Sequence, residues 1–201
     1  MEVKKSKIKN TEKMTVRDYI TIAILLVLHF LIYTISMPLG MTVIGSLFTY
    51  AFTGLLLGIV YTLMCTKVNK KGAPLIFGVG LGLVQMMNFW VVGLVMALGG
   101  VVAEIIWERM DRRKSGTIMI CYVVQLTFLY LGMVLPLVLL KDMYIKALSA
   151  YADLYNGMYE VACGYMFFIA LFATIVSGVI GAFIGKKVLK KHFEKAGIAV
   201  C

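Results

Sequence analysis

The residues of this chain that could carry chemistry are few and scattered. His29 and His192 sit near opposite ends of the sequence, and Cys65, Cys121, Cys163 and Cys201 form no C-x-x-C pair. The cysteines therefore read as small apolar residues. No G-x-x-x-x-G-K-[ST] loop, G-x-S-x-G elbow or H-E-x-x-H helix occurs, and Gly78, Gly80 and Gly82 lack the spacing of a dinucleotide fingerprint. No catalytic residue, metal ligand or cofactor is assigned, so the chain is not read as an enzyme.

Polar residues inside apolar stretches are rare, and each has a bland and a sharp reading. Glu104 stands about one turn before a basic end and can snorkel or pair with Arg109. His29 is either a neutral imidazole bonded within a helix bundle or a ligand contact. Gln125, near the middle of its apolar run, is expected to bond another helix. No ladder of carboxylates crosses the apolar segments, which argues against a proton-driven pump.

The densest polar cluster lies between Lys141 and Glu160. Tyr144, Lys146, Tyr151, Asp153, Tyr155, Tyr159 and Glu160 occur there, with Asn156 among them. Two readings fit: an aromatic belt at a lipid interface, or a lid whose flat rings stack on a ligand while its charges orient it. Gln85, Asn88 and Trp90 come to the same side, as do Tyr50, Thr42, Ser46 and Thr49. With His29, these make a candidate substrate site. Aromatic rings with both signs of charge suit a flat, polar, zwitterionic molecule.

The elements that must position these residues follow from composition. The chain has 201 residues, 61% hydrophobic and 15% charged, with a mean hydropathy of +0.92. A soluble domain carries about a quarter charged residues, so a soluble fold is excluded. Charge-free stretches run over 19–66, 72–103, 115–140 and 161–185. A crossing helix needs about 20 apolar residues. The first stretch holds two helices, broken at Ser36-Met37-Pro38-Leu39-Gly40. The second lies between two basic clusters and so holds an even number of crossings, turning at Asn88-Phe89-Trp90.

An all-α integral membrane bundle of six helices results, at about 17–37, 41–66, 73–88, 90–108, 116–140 and 159–187, forming one domain over 1–201. Of 20 Lys and Arg, 18 fall on one side of this layout, which sets both termini inside. The first apolar run is too long for a cleavable signal peptide. Net charge is +10. The basic tail from Lys186 to Lys195 suits anionic lipid rather than nucleic acid. Small residues recur at Gly54-x-x-x-Gly58 and Ser177-x-x-x-Gly181-x-x-x-Gly185. They serve either packing within the bundle or docking of another subunit.

Two stretches carry a family resemblance: T-V-R-D-Y-I-T-I-A-I-L-L-V-L over Thr15–Leu28 and G-A-F-I-G-K-K-V-L-K-K-H-F-E-K-A-G-I over Gly181–Ile198. With the six-helix layout, the chain resembles the substrate-binding S component of energy-coupling factor transporters, and more narrowly the Trep_Strep integral membrane proteins. The resemblance implies a multi-pass protein of the prokaryotic plasma membrane that captures a vitamin-like micronutrient outside. It implies partnership with a T component and two ATPases. It also implies docking through an A-x-x-x-A motif on the first helix, here Ala23 and Val27, where valine stands in place of the second alanine. The alternatives are a small intramembrane enzyme, for which no nucleophile or acid–base pair assembles, and a stand-alone carrier, for which no internal repeat is visible.

Overall fold

A computed structural model describes residues 13–193. The lysines before residue 13, the His192 side chain, Lys195 and Cys201 lie outside the described residues. Every regular element among the described residues is helical. The helices are α1 (Val16–Ser36), α2 (Val43–Lys67), α3 (Ala73–Met86), α4 (Trp90–Arg109), α5 (Ser115–Leu139), α6 (Lys141–Ala147), α7 (Ala152–Ala162) and α8 (Met166–Phe193).

Local chemistry fixes the helix ends. The Asp18 carboxylate accepts from the Thr15 N–H at 2.7 Å and starts α1. The Thr42 hydroxyl accepts from the Gly45 N–H at 3.1 Å and starts α2. Gly72 adopts a left-handed φ of 92°, and Pro74 follows in the first turn of α3. Among the described residues five helices are long and apolar enough to cross a membrane: α1 (with the turn after it), α2, α4, α5 and α8. Helix α3 has 14 residues. At about 1.5 Å per residue it reaches about 21 Å, short of a hydrocarbon core of about 30 Å.

The connection from Lys141 to Glu160 is not a loop but two short helices, α6 and α7. The last helix begins at Met166, whereas the charge count starts it at Tyr159. Tyr159 belongs to α7, and a turn through Cys163, Gly164 and Tyr165 separates α7 from α8. A chain reversal inside an apolar run carries no charge signal, so counting charges misses it.

The small-residue stripes are used inside the molecule. A Cβ at Gly181 would collide with the backbone of Gly54 and Leu55, and one at Gly58 with the backbone of Gly181. Helices α2 and α8 therefore meet backbone to backbone. The Ser177 hydroxyl of α8 donates to the Ala51 carbonyl across this seam, and beside it the Tyr122 hydroxyl of α5 donates to the Gly54 carbonyl of α2. Helices α3 and α4 meet the same way at Gly78 and Gly100. Helix α1 packs more loosely, with Ile24, Val27, Leu31 and Ile35 exposed along one side.

Candidate functional site

At the end of the bundle away from the Lys and Arg clusters, five helices line a narrow cleft. Helix α1 contributes His29, Phe30 and Tyr33 to its wall, α2 contributes Tyr50, and α3 contributes Leu81 and Gln85. Met96 of α4 and Leu129 of α5 complete it. The placement on α1 is helical arithmetic: His29 and Tyr33 are four residues apart, hence on one face.

His29 is 5% exposed, and its Nδ1 has no hydrogen-bond partner. Its ring meets Phe30 and Phe77 edge-on, at centroid distances of 6.0 and 5.6 Å. The rings of Tyr33 and Tyr50 stack at 5.8 Å with an interplanar angle of 22°. Asn88 donates to Gln85 Oε1 at 3.1 Å, so the Gln85 side chain is held in place from the α3–α4 turn.

Helices α6 and α7 bring a second pair of phenols to this end. Tyr144 is buried and meets Tyr155 at 5.1 Å and Phe89 at 5.5 Å, both in T-shaped contacts. Such contacts hold rings at fixed angles and add about 0.5–1.5 kcal/mol each beyond burial. Burial pushes both the Tyr144 and Tyr155 phenols above the ordinary range. The charge each would carry is further opposed by nearby Tyr33. Both stay protonated at neutral pH and can donate. Tyr33, Tyr50, Tyr144 and Tyr155 thus form a roof of neutral hydroxyls.

The basic end is built differently. Glu104 does not pair with Arg109. Its Oε1 accepts from the Gly72 N–H at 2.7 Å and its Oε2 from the Leu75 N–H at 3.4 Å, capping α3. A carboxylate is well suited there because the first N–H groups of a helix lack partners and carry partial positive charge. Lys70 bridges to Asp18 and Lys71 to Glu108, each at 2.8 Å, and Trp107 Nε1 donates to the Lys70 carbonyl at 3.0 Å. A second cleft, larger and more enclosed than the first, borders Thr62, Thr66, Ser115 and Lys186 at this end. The two threonine hydroxyls donate to their own helix, to the carbonyls of Gly58 and Thr62.

The chain was compared with known proteins. The model of a hypothetical bacterial integral membrane protein family, Trep_Strep, matches residues 16–195. The chain belongs to this family. It is therefore an integral membrane protein, and its apolar helices make it a multi-pass one. No curated protein and no solved structure matches it.

The candidate residues of this Trep_Strep chain fall in different places. His29, Tyr50 and Gln85 line the cleft, Asn88 supports Gln85, and Tyr144 and Tyr155 join the roof. Trp90 is exposed at the rim, 6.2 Å from the Phe89 ring. Tyr159 lies under the Lys141 ammonium at 4.3 Å. Lys146, Tyr151, Asp153 and Glu160 are exposed. Ala23 and Val27 are exposed on the outer side of α1. Sequence reasoning missed Tyr33, Phe30 and Met96. Tyr33 was within reach, since it shares a helix face with His29. Met96 has no polar signature, and only packing reveals it.

Proposed function

We propose that this protein is the substrate-binding S subunit of an energy-coupling factor importer in the bacterial cell membrane. It crosses six times with both termini inside, α3 making the shortest crossing. It takes up a small, vitamin-like micronutrient at the aromatic end and delivers it with a T component and two ATPases. It has no catalytic role of its own. The observation that carries this reading is the cleft: a buried imidazole with an unpartnered nitrogen, beneath a roof of neutral phenols, at the end opposite the basic clusters. Such a concave site with few convergent polar groups is how small molecules are held. Among the described residues no group of three or more His, Cys, Asp or Glu stands close enough to hold a metal ion.

Native mass spectrometry of the gently purified full chain tests the binding role, with a bound small molecule of defined mass as the expected result. Uptake into vesicles is expected only when ATP, the T component and both ATPases are present. Chemical turnover of a substrate by the purified chain alone would overturn the reading. Docking runs along the exposed side of α1, at Ala23 and Val27. Ala23→Trp is expected to lower uptake more than tenfold while leaving the bound mass unchanged; normal uptake by this variant would remove the docking role.

A further inference from the structure

We infer that the molecule held in the cleft is planar and uncharged at neutral pH, and that His29 reads its polar edge. This rests on the binding-subunit reading and narrows it. The sequence favours a zwitterion, because charges of both signs crowd between Lys141 and Glu160. None of those charged residues lines the cleft. The residues lining the cleft carry no formal charge, and the phenols above it are neutral. Lys146, Asp153 and Glu160 are exposed on the outer surface, and Lys141 lies over the Tyr159 ring. An ion entering this cleft would lose its water and find no counter-charge, which disfavours its binding. A neutral molecule escapes that cost.

Shape and hydrogen bonding point the same way. The Tyr33 and Tyr50 rings, stacked on each other, line the cleft with Phe30, so a flat molecule entering it meets aromatic surface beside His29. A buried polar atom without a partner is destabilising; His29 Nδ1 is such an atom, as are Tyr61 Oη and Gln125 Oε1, and of these three residues only His29 lines the cleft. The phenylalanine contacts on its ring are apolar and cannot satisfy it. A bound molecule with a complementary donor or acceptor would. Gln85, oriented by Asn88, supplies an amide from α3. The chemistry recognised is that of a flat heterocycle with ring nitrogens or carbonyl groups and no ionised substituent.

The test is affinity selection with the full-length chain in detergent. The protein is incubated with the low-molecular-weight fraction of a bacterial cell extract, washed, and its retained molecules are identified by mass spectrometry. Wild type is expected to retain a planar molecule that is neutral at neutral pH. His29→Phe is expected to retain about tenfold less, with an unliganded melting temperature equal to or above wild type, because an unsatisfied buried atom has been removed. His29→Asn, which keeps a polar atom near the Nδ1 position, is expected to restore part of the retention. It also serves if the phenylalanine variant does not fold. A retained molecule bearing net charge overturns the inference while leaving the binding-subunit reading intact. Retention of a neutral molecule equally by wild type and both variants removes the role of His29. Retention of nothing by wild type overturns the binding-subunit reading and this inference with it.

Discussion

The two ends of the bundle treat polar groups in opposite ways. Toward the basic end most polar groups hold helices together: Glu104 caps α3, Lys70 and Lys71 are salt-bridged, and the Trp107 indole is tied to the chain at Lys70, while the buried Tyr61 hydroxyl in the same half of α2 has no partner and lines neither cleft. At the aromatic end a buried imidazole nitrogen is left without a partner beside a cleft. Hydrogen bonds satisfied within a fold contribute stability, whereas an unsatisfied buried group costs it and is retained where something else completes it. On the proposed reading, the cleft at the aromatic end serves recognition and the capped, salt-bridged end serves as scaffold.

The seam joining the two ends should be the most sensitive. Gly181→Leu would drive a side chain into the α2 backbone, which cannot yield as a flexible side chain would. A loss of about 3 kcal/mol or more is expected, seen as a collapse of the thermal melt in detergent. A melt within a few degrees of wild type would break the account of a backbone-to-backbone seam. Next in size is Glu104→Ala, which leaves the Gly72 and Leu75 N–H groups without their carboxylate. The expected cost is about 1–3 kcal/mol, with ligand retention unchanged once the protein is folded. Loss of retention without loss of stability would blur the division between ends. Smallest are Tyr151→Ala and Asp153→Ala. Both side chains are exposed on the outer surface, so each should change stability by no more than about 0.5 kcal/mol and leave retention near wild type. A large drop in retention would extend the recognition surface beyond the cleft and bring charge back into it.

Much of the scaffold was legible in the sequence. Runs without charge located the long apolar helices, Pro38 with Gly40 marked the first break, and the basic clusters marked one end. The extra helices α6 and α7 were hidden because Lys141–Glu160 is mixed in polarity, and a polar segment on the surface can be loop or helix. The break at Gly164 was hidden because its neighbours are apolar. The candidate site was legible in part. His29 stood out as a polar residue in an apolar run, and Gln85, Asn88 and Tyr50 clustered near helix ends. The charged residues of the same segment looked equally suitable, and nothing in their spacing says which way they turn.

The sequence by itself determined that the chain is a membrane bundle, because long uncharged apolar segments are stable only where water is excluded. It also determined that small residues would bring helices close. Only the tertiary structure decided which helices those would be, pairing α2 with α8 and α3 with α4 and so using the stripes internally. It also decided that the phenols of four separate helices meet above His29 while the neighbouring charges face outward. The physical reason is that burial belongs to the packed assembly: a tyrosine and a lysine a few residues apart differ little along the chain, but only the tyrosine can give up water cheaply when the helices close around it.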